Sequence, residues 1–130
     1  MPDGGEAALP RAAENGAFTS ERRGPALVIA FHGEIQSSDT GGIRRDVLSA
    51  IEREGVTRVV FDLSDVSYID SMGLGMFVNL HVRGRDRLRF LFCGLTGSVR
   101  KAFGYVKLIS FLQVRDSLED ALGEFADADD

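Results

Sequence analysis

The stretch from Val59 to Gly75 does most to limit what this chain can fold into. Val59-Val60-Phe61-Asp62-Leu63 is a β-type apolar run, polar turn residues follow, and Asp70-Ser71 opens a second apolar run whose spacing is helical. The first run lacks the in/out alternation of a one-faced sheet, which is the mark of a strand buried mid-sheet. Short polar side chains at a helix start accept hydrogen bonds from the free backbone N–H groups of the first turn, and those groups also favour an anion there. Any chemistry is therefore expected at Asp70-Ser71, where the serine hydroxyl is well placed to become a phosphate.

The rest of the chain supplies the partners of that unit. Ala17-Phe18-Thr19-Ser20 and Ala26-Leu27-Val28-Ile29-Ala30-Phe31, joined by turn-like residues around Arg23-Gly24, read as a hairpin, with His32 ending the second strand. Gly33 to Gly42 breaks the pattern with residues that prefer loops and caps. From Ile43, apolar positions at Val47, Ala50 and Ile51 predict an amphipathic helix ending near Gly55. After Ser71 the helix carries one stripe of Leu74, Phe77, Val78 and His81 and another of Met72, Met76 and Leu80, an apolar arc wider than one sheet contact needs: either part of it faces a partner or, at least as well supported, both stripes are core. Arg89 to Cys93 predicts a strand, Val99 to Val106 a short helix, Phe111 to Val114 a brief strand, and Leu118, Ala121, Leu122 and Phe125 the buried stripe of a last helix opened by Ser117-Leu118-Glu119-Asp120. Strand and helix alternate, so the expected class is α/β: a mixed sheet of about four or five strands with about four helices. One domain over residues 16–126 is expected, between a disordered tail over 1–15 and a fraying acidic end over 127–130.

Charge and composition exclude several functions. A net charge of −5 argues against a nucleic-acid surface. The local cluster Arg83, Arg85, Arg87 and Arg89 reads as a solvated loop and strand edge. A single cysteine, Cys93, cannot form an internal disulfide, and two histidines give too few ligands for a usual zinc site, so neither metal nor cofactor is expected. The first ten residues do not read as a secretion signal, and no apolar run nears the roughly 18 residues of a membrane span. A soluble cytoplasmic protein, monomer or weak dimer, with no membrane or nucleic-acid partner, is the expectation.

Four stretches carry a family resemblance: Gly33-Glu34-Ile35, the strand Val59 to Leu63, Tyr68-Ile69-Asp70-Ser71-Met72-Gly73-Leu74-Gly75, and Val99-Arg100-Lys101-Ala102-Phe103. With the element order from about residue 16 to 125, they make the chain similar to STAS domains of the bacterial anti-sigma-factor antagonist type. The resemblance implies that Ser71, directly after the aspartate, is phosphorylated by a partner that is both serine kinase and anti-sigma factor. It further implies that the unphosphorylated form binds that partner and frees a sigma factor, and that a PP2C-type phosphatase resets the switch. Gln36, Asp39, Asp70, Ser71, Met72, Gly73 and Met76 become the candidate partner contacts. Two positions depart from the family pattern. Gln36 stands where switching members carry the aspartate of Gly-Glu-Leu-Asp, with Asp39 three residues on as the candidate for its polar role. Met72 replaces a second small hydroxyl residue, leaving Ser71 the sole acceptor at this turn.

Three other readings compete with this one. Asp70 and Ser71 are common helix caps and need do no more than cap. An enzyme with Ser71 as nucleophile, His32 or His81 as base and Asp70 or Asp62 as orienter fails on form, because Ile69 occupies the first glycine position of Gly-x-Ser-x-Gly. A STAS module that binds without switching, in a stress-signalling or transport complex, is the alternative that Gln36 favours and the Asp70-Ser71 pair disfavours.

Overall fold

A computed structural model describes residues 11–12, 16–105 and 107–127. Six strands form one mixed sheet in which each strand lies beside its predecessor in the chain. Strands β1 (Arg11–Ala12), β2 (Phe18–Arg23) and β3 (Ala26–Ile35) pair antiparallel, and β4 (Arg58–Ile69), β5 (Arg89–Cys93) and β6 (Val114–Arg115) continue from β3 in parallel. The helices are α1 (Thr40–Glu54), α2 (Ser71–Gly84), α3 (Gly97–Tyr105), the single turn α4 (Leu108–Phe111) and α5 (Leu118–Asp127).

Alternate side chains of the central strands fill two cores, as a strand without alternation requires. Leu27, Ile29 and Phe31 of β3, Val59, Phe61 and Leu63 of β4, and Phe90 and Phe92 of β5 point to one face, where α1, α2 and α3 cover them. Phe61 is the hub: its ring centroid lies 5.7 Å from Phe31, 5.5 Å from Phe77, 5.4 Å from Phe90 and 5.0 Å from Phe92. Full burial of one such side chain contributes about 1.5–3 kcal/mol before ordering costs. Ala26, Val28, Val60, Leu91 and Cys93 point to the other face, which Ala121 and Phe125 of α5 seal.

Several expectations are corrected. Strand β4 does not end at Leu63 but runs to Ile69, because β3 reaches Ile35 and keeps pairing with it across two register shifts. Those irregularities let polar residues remain in a strand, and beside them the Asp62 carboxylate accepts the Ser64 N–H at 3.0 Å. His32 therefore sits inside β3, not at its end. Helix α1 begins at Thr40, so Gly41 and Gly42 are helical, and it stops at Gly55, whose left-handed φ of 65° lets its N–H return to Ile51 and Glu52. The brief strand expected over Phe111 to Val114 is displaced: Leu108–Phe111 closes a helical turn, and pairing with β5 starts only at Val114. Within the expected N-terminal tail, Arg11 and Ala12 pair with Ser20 and Thr19, since β2 would otherwise present an open edge. The rest of that tail and residues 128–130 lie outside the described residues.

Candidate functional site

The site is built where β3, β4, α1 and α2 meet at the carboxyl end of the parallel strands. Asp70 follows β4 directly with extended backbone (ψ −177°), and α2 starts at the next residue. Its carboxylate joins two segments. One oxygen, Oδ1, accepts the Gly73 N–H at 2.9 Å and caps α2, while Oδ2 accepts the Ser37 N–H at 2.9 Å. The Asp70 N–H in turn donates to the Ile35 carbonyl at 3.1 Å. Residues 35 and 37 are thus both tied to Asp70, which holds Gln36 between them at the rim of the site.

Gly73 explains how α2 comes so close to the strands. A Cβ there would lie 2.7 Å from Ile69 Cγ1, 3.0 Å from Ile35 Cγ2 and 3.1 Å from the Ile35 carbonyl oxygen. Only glycine lets the first turn of α2 seat against both strand ends. A Cβ at Gly75 would meet nothing, so that glycine faces open space.

With Asp70 and Gly73 holding the turn, Ser71 is left exposed, and its hydroxyl makes no hydrogen bond among the described residues. The next residue, Met72, is one of the few exposed large apolar side chains, at 55 % exposure; Tyr68, at 45 %, is exposed near the end of β4. Gln36 is exposed and reaches Glu34 only at 3.5 Å. Asp39 occupies the N-cap position of α1, but its carboxylate caps nothing and accepts only the Ser38 hydroxyl at 3.5 Å. Met76 is 5 % exposed and Gly73 is buried, so these two support the surface from beneath more than they form it. Met72, Gly75 and Met76 also line a hollow of about 180 Å³ between α2 and α1, closed on the far side by Thr40, Gly41 and Arg44. Sequence reasoning missed the contribution of α1, since only tertiary packing brings its first turns to α2. The exposure of Tyr68 is signalled by its position one strand step from buried Ile69.

The histidines stand apart from the serine. His32 Nδ1 is 2.9 Å from Asp65 Oδ2, and its Nε2 is 3.5 Å from the Thr19 hydroxyl. His81 lies near the other end of α2 against Phe111, with ring centroids 5.3 Å apart, and its Nδ1 is buried without a hydrogen-bond partner. Burial, helped by the Arg85 guanidinium, holds the His81 pKa below its ordinary value. Neither ring bonds to Ser71, so the structure assembles no nucleophile–base pair from these residues.

Among the described residues no group of His, Cys, Asp and Glu has metal-binding geometry, and no helix is long and apolar enough to cross a membrane. What the arrangement offers is a hydroxyl on the first residue of a helix, within a partly apolar surface, held by a carboxylate that does the capping.

An aspartate-capped, serine-bearing helix on a mixed sheet of this topology defines a small α/β domain. The sequence matches the STAS domain family over residues 17–121, and the chain belongs to that family. Its structure is similar to an anti-sigma factor antagonist from Mycobacterium paratuberculosis, with a TM-score of 0.75 at 19% identity over 88% of this chain and 97% of that one. It is similar also to the unphosphorylated form of the anti-sigma factor antagonist SpoIIAA, with a TM-score of 0.64 at 21% identity over 86% of this chain and 99% of that one. The murine solute carrier 26 family member A9 anion transporter gives a TM-score of 0.69 at 17% identity over 81% of this chain but 18% of its own.

Proposed function

We propose that the protein is an anti-sigma-factor antagonist whose unphosphorylated form binds an anti-sigma serine kinase and releases a sigma factor, and that phosphorylation of Ser71 ends the binding. The observation that carries this reading is the free Ser71 hydroxyl on a turn already capped by Asp70. A phosphate of about −1.5 to −2 charges is tolerated at a helix N-terminus, so the fold need not change. The partner is where the change is felt. A dianion beside the exposed Met72 opposes burial of that surface, and every 1.4 kcal/mol of opposition weakens binding about tenfold. A PP2C-type phosphatase would restore the hydroxyl. The likeness to known antagonists supports the role, and the place of Gln36 beside Asp70 supports its function as a tuner of partner affinity.

The test is to incubate the protein with the serine kinases of its own genome and ATP and to locate phosphate by mass spectrometry. Ser71→Ala should bind the kinase and take no phosphate, whereas Ser71→Glu should bind at least tenfold more weakly while melting within a few degrees of the wild type. Equal affinity of wild type, Ala and Glu forms, with phosphate elsewhere or nowhere, sinks the switch. The competing reading, a non-switching scaffold module, would then stand; the departure at Gln36 is the observation in its favour.

A further inference from the structure

The helical side of the molecule carries a charge imbalance that the proposed switch does not use. Residues 71–112 hold seven basic side chains and one acidic one, Asp86, in a chain whose overall charge is −5. Arg89 is paired with Glu124 across the sheet edge, at 3.4 Å. The other six, Arg83, Arg85, Arg87, Arg100, Lys101 and Lys107, form no ion pair among the described residues. Arg87 lines a hollow with Glu52 at the end of α1, apart from the rest; the other unpaired cations are an electrostatic footprint for something anionic.

Two exposed apolar side chains sit among them. Val82, 42 % exposed, lies one helical turn before Arg85 on α2, and Phe111, 44 % exposed, ends α4 and stacks edge-on against His81. Arg85 lies close enough to His81 to influence its proton, and Lys107 immediately precedes α4. Val82, Arg85, His81 and Phe111 therefore make one patch, with Lys107 at its border. Helix α3, packed on α4 in the same layer, adds Arg100 and Lys101 on its exposed side.

We propose that this patch, at the opposite end of α2 from Ser71, docks the protein peripherally on an anionic lipid surface, with Phe111 and Val82 as shallow apolar anchors. Its composition favours lipid over a protein partner. A protein interface centres on a desolvated apolar core, while this patch has two separate apolar tips spread among cations, the pattern of an interfacial membrane contact. The net negative charge of the chain does not prevent this. Helix α1, in the same layer as the patch, is charge-balanced, with Asp46, Glu52 and Glu54 against Arg44, Arg45 and Arg53, and Asp116, Glu119 and Asp120 belong to or adjoin α5, which packs on the other sheet face. Packed layers are about 10 Å apart, so the separation is about two Debye lengths of roughly 8 Å each at physiological salt. The lipid would feel the near side chiefly. Helix α2 is about 20 Å long at 1.5 Å per residue, which leaves Ser71 clear of the surface.

The experiment is co-sedimentation of the full chain with vesicles of pure phosphatidylcholine and with vesicles containing about one third phosphatidylglycerol, at low and high salt. Binding is expected only to the anionic vesicles, reduced at least tenfold by high salt. Two variants, Arg85→Glu with Lys107→Glu, and Phe111→Ser, should each lower it by about tenfold with the circular-dichroism melt preserved, whereas Ser71→Ala should bind like the wild type. Absence of anionic-vesicle binding at low salt, or unchanged binding by both folded variants, overturns the proposal. So does salt-sensitive self-association without lipid that Arg85→Glu with Lys107→Glu abolishes, which would make a second copy the occupant.

Discussion

Asp70 performs two duties at once: it caps α2 through Gly73 and anchors the loop after β3 through Ser37. Because the aspartate does both, the neighbouring serine has no structural bond to lose. The two glycines that follow invite opposite outcomes. Gly73→Ala puts a methyl group within 2.7 Å of Ile69 and 3.1 Å of a backbone oxygen, so it should cost about 1–3 kcal/mol. Gly75→Ala meets open space in a helix interior and should stabilise by about 0.5–1 kcal/mol. Urea unfolding of the pair measures both, and a shared sign would show that the first turn of α2 is not seated as described. His81 gives a pH dependence. Its folded pKa is held below the ordinary 6.5, by burial first and Arg85 second, so the unfolded chain takes up the proton more readily. Stability should therefore decline as pH falls below about 6.5, over the window down to the folded value, and His81→Gln should flatten that decline in melts between pH 7 and 5.5. Ser71 and Asp70 were legible from sequence because capping follows short-range rules. That Ile35 and Ser37 are the segments bonded to Asp70 was not, since bonds across more than thirty residues depend on register.

Helix α5 shows how an element is held from outside its own sequence. Its stripe of Ala121 and Phe125 was readable from spacing, but its fastening was not: Arg115 grips Glu124 with Nε at 2.6 Å and a second nitrogen at 3.0 Å. Arg89 adds a bond to the same carboxylate and lies 5.3 Å over the Phe125 ring. The Arg115 hydrogen bonds hold the Glu124 carboxyl below its ordinary range. The stabilisation is thus present above the ordinary carboxylate value and is lost as pH falls through the folded one. Partial exposure limits its size to about 1 kcal/mol. Beneath this helix lies Cys93, whose thiol burial pushes up to about 12, with the Asp62 carboxylate adding to the effect. Its reaction with a thiol reagent therefore reports opening of α5. Glu124→Gln should speed that reaction about fivefold at pH 8, the equivalent of about 1 kcal/mol; an unchanged rate would mean the arginine grip does not hold the helix. Strand β4 exceeded its readable length for a related reason. Its polar second half carries no apolar periodicity, and it is a strand only because β3 lies alongside.

At the scale of the whole molecule, the class of fold was readable because β4 and β5 are apolar on both sides and must be covered twice. Which helix goes to which face was not readable, because amphipathic stripes do not record the face they seek. Sheet order adds a kinetic consequence. No strand is inserted between two that are already paired, so the sheet can grow in one direction, each new edge templating the next strand as it leaves the ribosome. Helix α5 follows the whole sheet in the chain, and until it docks, Val60, Leu91 and Cys93 stay open to water. The apolar second face is therefore the exposure through which an unfinished chain would aggregate, and docking of α5 is what removes it.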